Sequence, residues 1–215
     1  MRTSHLLRAV AAAAAVTTTC VSHAAITGFV GDTTLEGGWY AFEDTFDVDM
    51  TVIHHGGAIY QDVLGIDIPE YGGSLDFDSP HSLRHIGQGW ATWSHGYMGE
   101  VFYTNGKWFT GYDIKVDGAY AFDAYVEPNC FAALLYDWYE VTAYGSMGSE
   151  TTVEFGAHGS AGANHFGFYA SDEAIVRIEI ESTCDWAIGE WRIAAPAPGA
   201  TALLVLTAVR RRHRR

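Results

Sequence analysis

Positive charge is scarce in this 215-residue chain, where 12 Lys and Arg stand against 26 Asp and Glu. Seven of the twelve lie in the first eight and last six residues. The stretch from Ala25 to Ala195 therefore holds five cations against all twenty-six anions, a net charge of −21. Such a surface repels phosphate backbones, which excludes nucleic acid as a partner and suits a saline medium, plain solvation or divalent cations. Cysteine is nearly absent, with only Cys20, Cys130 and Cys184, so one disulfide is the most the chain can form. No apolar run reaches the roughly 20 residues that span a bilayer, which sets aside a permanent transmembrane helix. No window keeps a helical period, which argues against an all-α fold. No Gly-x-Ser-x-Gly turn presents a hydrolase nucleophile. Without internal repeats or low-complexity linkers, Ala25 to Ala195 reads as one domain of about 170 residues.

The two ends read as addresses. Residues 1–24 have a basic start at Arg2 and Arg8, an apolar run from Ala9 to Val16, and a small-residue exit at Ser22-His23-Ala24. That layout predicts a secretory signal peptide, cut between Ala24 and Ala25 by signal peptidase after passage through Sec-type export machinery. Thr17-Thr18-Thr19 before Cys20 is a poor lipidation site. At the other end, Pro196-Ala197-Pro198-Gly199 precedes the apolar run Ala200 to Val209 and the cluster Arg210-Arg211-Arg212-His213-Arg214-Arg215. A breaker, an apolar stretch and terminal cations make a stop-transfer layout, here with about half the spanning length and hence only transient membrane contact. Residues 196–215 resemble the PEP-CTERM sorting signal, with Ala197 in place of its glutamate. The resemblance implies an exosortase-like sorting enzyme as partner and a location at the cell surface or in the extracellular matrix.

Between the ends, apolar residues recur at every second position. Ile178 and Ile180 with Val176 alternate against Arg177, Glu179 and Glu181, and Tyr120, Phe122, Ala124 and Val126 do so before Pro128. Further strands are expected at Trp39–Phe46, Val48–Ile53, Trp90–Trp93, Glu100–Tyr103, Trp108–Ile114, 139–143, 151–155, His165–Tyr169 and Ala187–Ile193. Many short strands with Gly-rich turns predict an all-β antiparallel fold, a jelly-roll-like β-sandwich. Ile66 to Gly89, rich in Gly, Pro, Asp and Ser, is expected to be a surface loop rimming a site, and Phe131–Asp137 a short helix. Once the signal peptide is removed, Cys130 and Cys184 form an even pair in an oxidising compartment. They are a disulfide candidate worth about 4 kcal/mol, with two separate buried thiols as the alternative. The segments Trp93–Val101, Val126–Asn129, His165–Tyr169 and Trp186–Glu190 resemble secreted β-sandwich domains that precede PEP-CTERM-type tails, which implies fold and compartment but no catalytic role.

Candidate chemistry is thin. Ser94 and His95 are expected on opposite faces of a strand, unable to serve each other. His54, His55, His81, His85, His95, His158 and His165 are too scattered for a zinc site. Asp44, Asp47 and Asp49, or Asp76 and Asp78, offer oxygen ligands for calcium without the glycine of an EF-hand loop, and no other cofactor is expected. With twenty-six acids, some pair always matches the spacing of a glycosidase. Aromatic content is the strongest signal: rings stack on sugar faces while acids and amides bond hydroxyls, although most rings fill the core. Trp90, Trp93, His95 and Tyr97 are the expected ligand-binding residues. The leading expectation is a non-catalytic binding or adhesion protein associated with exopolysaccharide. A carbohydrate-active enzyme on the same scaffold and a structural matrix or surface-layer component are the alternatives.

Overall fold

The computed structural model describes residues 25–31, 37–130 and 136–196. The expected signal peptide 1–24, including Ala24, and the tail from Ala197 through Pro198 and Gly199 to Arg215 lie outside the described residues. Among the described residues the order is β1 (Ile26–Val30), α1 (Gly37–Phe46), β2 (Thr51–Val52), β3 (Asp62–Ile68), β4 (Gly73–Ile86), β5 (Gly89–Trp90), β6 (Glu100–Tyr103) and β7 (Phe109–Ile114). There follow β8 (Ala121–Pro128), β9 (Tyr136–Gly145), β10 (Glu150–His158), β11 (Asn164–Ala170), β12 (Ile175–Glu181) and β13 (Trp186–Ala194).

The expected all-β antiparallel class is what the chain adopts. Its strands join in one sheet, in the order β1-β11-β8-β13-β6-β4-β7-β12-β9-β10, with β2 on β13 and β3 and β5 on β4. The two ends of this path nearly meet: the Thr151 hydroxyl of β10 donates to the Ile26 carbonyl of β1 at 2.8 Å. A Cβ on Gly28 would lie 2.3 Å from Val153, so glycine permits the approach. Near closure shields the edges that an open sheet leaves unpaired. Inside lies the main core, where Trp191 stacks on Phe77 at 5.8 Å and meets Tyr112 edge-on at 5.0 Å, with Phe122, Phe166, Trp186 and Ile188 fully buried around it.

Several expectations fail locally, among them the strand Trp90–Trp93, of which only Trp90 is in a strand, β5. Trp39–Phe46 is helix α1, not a strand: Trp39, Phe42 and Phe46 recur at spacings of three and four, and Phe42 is fully buried. Ile66–Gly89 is not a surface loop, because it holds most of the β3–β4 hairpin and the fourteen-residue β4. There Leu75, Phe77, Ser79, His81 and Leu83 point inward while Asp78 and Pro80 face solvent, and Pro80 falls where pairing to β3 is interrupted. In β12 a register shift between Ile175 and Arg177 turns Val176 outward and buries Ile175 in its stead. Of the expected helix Phe131–Asp137, residues 131–135 lie outside the described residues and Tyr136 and Asp137 open β9. Cys130 and Cys184 form a disulfide with Cα atoms 5.7 Å apart, joining the end of β8 to the turn before β13.

Candidate functional site

Strands β8 and β13 are buried on both faces along their whole lengths. Their inner faces carry Phe122, Ala124, Val126, Ile188 and Trp191. Their outer faces carry Asp123, Tyr125, Glu127, Glu190 and Arg192, all at most 3% exposed. Buried acids and bases on an outer face need partners and a cover. Helix α1, the 91–99 segment and the 159–163 turn provide both.

A β-bulge sets which side the charges take. Gly189 pairs with Tyr125 and Arg192 with Asp123, so three steps along β13 match two along β8. The extra residue, Glu190, adopts a left-handed backbone with φ of 55° and points outward, where regular alternation from Trp186 and Ile188 would drive it into the apolar core. Next to it, Arg192 grips Asp123 through both Nε (2.9 Å to Oδ1) and Nη2, and Asp123 also accepts from His165 Nε2 at 2.9 Å. Arg192 Nη1 donates to Glu43 at 2.8 Å, Nη2 donates to the Trp39 carbonyl at 3.2 Å, and the guanidinium lies 4.7 Å from the centre of the Trp39 ring. One arginine thereby ties α1 to the sheet. Gly167 lets the helix come close, since a Cβ there would sit 2.6 Å from the Phe42 ring.

A hollow of about 290 Å³ opens between α1 and the 91–99 segment, walled by Trp39, Tyr40, Tyr97 and Tyr125 with His95 and Glu190 at its base. His95 Nε2 meets Glu190 Oε2 at 3.0 Å, and Trp93 Nε1 donates to the other oxygen at 2.6 Å. His95, like Glu190, has a left-handed backbone, with φ of 43°. Such conformations cost about 1–3 kcal/mol each and gather at functional sites. The turn also overturns the expectation that Ser94 and His95 face apart: no strand runs here, and Ser94 Oγ lies 2.9 Å from His95 Nδ1. Ser94 is buried and does not line the hollow, so it braces the ring. Burial first, then the negative charge of Glu190, raises the Tyr97 and Tyr125 hydroxyls above the usual phenol range. The buried Tyr125 hydroxyl lies near the Trp39 carbonyl but makes no hydrogen bond of good geometry among the described residues.

On the other side of the same segment lies a second cleft of about 300 Å³, bordered by Arg84, Trp90, Thr92, Tyr103, Pro128 and Asn129. Trp90 Nε1 and the Thr92 hydroxyl both donate to Glu127, at 2.6 and 3.0 Å, and burial raises the Glu127 carboxyl despite these bonds. The Tyr103 hydroxyl donates to Asp185, which also accepts from Asn129 Nδ2 at 2.9 Å. Burial, with that bond to a carboxylate, pushes the Tyr103 hydroxyl up to about 12.

The four expected ligand-binding residues are thus divided. His95 and Tyr97 line the first hollow, Trp90 lines the second, and Trp93 is buried between them as a donor that fixes Glu190. Sequence reasoning passed over Trp39, Tyr40, Tyr125, Glu190, Arg84 and Tyr103. Of the expected calcium ligands, Asp76 accepts from Ser74 and Asp78 binds Arg177. His81 is buried between the Ser79 carbonyl and the Tyr112 hydroxyl, and burial holds its pKa down at about 4. Among the described residues the one grouping of three metal-type ligands is Cys130, Asp137 and Cys184, whose sulfurs are bonded to each other. No described helix is long and apolar enough to cross a membrane. No protein-family model matches the chain and no curated protein matches it, so the chemistry of the two clefts carries the functional assignment.

Proposed function

We propose that the chain is an exported, non-catalytic glycan-binding or adhesion protein of the cell surface or extracellular matrix, associated with extracellular polysaccharide. The observation that carries this reading is the hollow in which Trp39, Tyr40, Tyr97 and Tyr125 surround Glu190 and His95. Aromatic faces suit the apolar faces of sugar rings, while a fixed carboxylate, an imidazole and phenol hydroxyls suit ring hydroxyls. Its volume of about 290 Å³ lies at the lower end of ligand sites. Delivery would run through cleavage at Ala24-Ala25 and a sorting step on the PEP-CTERM-like tail that begins at Pro196.

Glycoside hydrolysis uses two carboxyl groups facing each other at about 5–9.5 Å. Among the described residues the first hollow is lined by one, Glu190, and the second by none, which favours holding a sugar over cutting it. The strained pair His95 and Glu190 favours the enzyme alternative, since strain is often kept where chemistry occurs. Titration of the full chain against a panel of neutral and acidic oligosaccharides separates these outcomes. Binding without new reducing ends, weakened at least about tenfold by Trp39→Ala or Tyr97→Ala, supports the proposal. Release of shorter sugars converts it to the enzyme reading, and no binding across the panel sinks both.

A further inference from the structure

Arg84 stands apart from the other cations of the domain. Lys115 pairs with Asp113, Arg177 with Asp78, Asp113 and Glu179, and Arg192 with Asp123 and Glu43. Lys107 is exposed on the connection between β6 and β7. Arg84 is half-buried, yet among the described residues it has no carboxylate partner. Its hydrogen bonds there run only from Nη1, to the Ser82 hydroxyl and, at 3.4 Å, to the Leu83 carbonyl. The guanidinium lies between two rings, 4.3 Å from the centre of Tyr60 and 5.6 Å from that of Tyr103. In a domain with five cations and twenty-six acids, one arginine is oriented by aromatic faces on the border of a cleft, with Nε and Nη2 unspent among the described residues.

We infer that the Arg84 cleft is a subsite for an acidic sugar, a uronic acid unit whose carboxylate is held by the arginine fork. This rests on the glycan reading above and extends it to the ligand's charge. A guanidinium edge matches a carboxylate in a two-point contact that a lysine cannot reproduce. One unpaired cation balances one negative charge, which fits a carboxylate better than a doubly charged phosphate. Trp90, anchored through its indole nitrogen to Glu127, offers a ring 5.7 Å from Tyr103 against which a sugar face can lie. The amide oxygen of Asn129 makes no hydrogen bond among the described residues and can accept from a sugar hydroxyl. Repulsion from the distant acidic surface is screened beyond about 8 Å at 0.15 M salt. That leaves Asp185, bonded to Tyr103 and Asn129, and Glu127, bonded to Trp90 and Thr92, as the acids against which the arginine's attraction works.

Calorimetric titration of the full chain at 0.15 M salt tests this with a galacturonic acid trisaccharide and with its carboxyl-reduced form, which has the same linkages and no charge. The acidic trimer is expected to bind at least about tenfold tighter, as charge-assisted bonds allow. Arg84→Met removes that preference, so that the two trimers bind the variant alike, and Arg84→Lys restores only part of it. Equal wild-type affinity for the two trimers overturns the inference and leaves the glycan reading standing. Failure of both trimers and of every sugar in the panel removes both. A tri-glutamate peptide that binds as tightly as the acidic trimer and competes with it overturns the sugar assignment in favour of an acidic peptide. The wild-type comparison needs no variant to fold.

Discussion

The two hollows flanking residues 91–99 differ in what holds them in shape. The hollow around Glu190 is fastened by ion pairs: Arg192 joins Asp123 on β8 to Glu43 and Trp39 on α1. The cleft around Arg84 is fastened covalently, because the disulfide from Cys130 to Cys184 pins Pro128 and Asn129 beside Asp185, and the Asn129 amide donates to the Asp185 carbonyl at 2.7 Å. An ionic fastening depends on every buried charge keeping its partner. A covalent one depends on the oxidation state of the compartment.

Reduction of the disulfide, or a Cys130→Ala/Cys184→Ala double change, should therefore give the largest effect. The loop it closes spans 54 residues, for which chain entropy gives about 4 kcal/mol, measurable as a lower urea midpoint. Hydrogen exchange should quicken around Asn129 and Asp185 before it does in α1. Equal loosening of both hollows would show that the covalent clip is not local to the Arg84 cleft. Asp123→Asn should cost about 3 kcal/mol, because Arg192 loses the charge that compensates its burial. The pattern should be reversed, with exchange rising first at Trp39 to Phe46. If the Arg84 cleft loosens first, the ionic network is not what secures the helix.

The smallest effect is a titration. Asp185→Asn should bring the Tyr103 hydroxyl down from about 12 toward the ordinary value near 10, read from the NMR titration of its ring carbons. Since the folded state raises this pKa, the associated stability is full below about pH 10 and fades as pH rises toward 12, so the variant narrows that alkaline window. An unchanged Tyr103 titration would mean that burial alone sets it.

Much of the sheet was legible because half-buried strands write their period directly. Glu100–Tyr103 was placed residue for residue, and the half-buried β9, β10 and β12 were located by alternation apart from the first residues of β9 and the shift at Val176. Strands β8, β11 and β13, buried on nearly all sides, were instead located by their apolar content and bounding turns. Strand β4 was hidden because its solvent face is made of Asp, Ser and Pro, residues that normally mark turns. Helix α1 was hidden because aromatic residues favour strands in general, while here three of them fall at helical spacing. At the site, His95 and Tyr97 stood out through the density of rings around them. Glu190 did not, being one acid among twenty-six, although Trp186 and Ile188 followed by Trp191 and Ile193 do slip from spacing two to three where the bulge occurs. Arg84 was invisible for another reason: its distinction is that it is half-buried with no carboxylate partner among the described residues, which depends on where the acids fold.

The course of β8 also gives the domain a near end and a far end. Ala121 and Tyr120 lie beside Ala194 and Ala170, and Ala170 lies opposite Ile26, so the first strand starts and the last one finishes along one rim. Pro128, bordering the Arg84 cleft, is seven residues further along a strand rising about 3.3 Å per residue, or about 23 Å away. Any attachment made through the chain beyond Pro196 holds the molecule by the first rim and leaves the arginine at the other, facing whatever surrounds it.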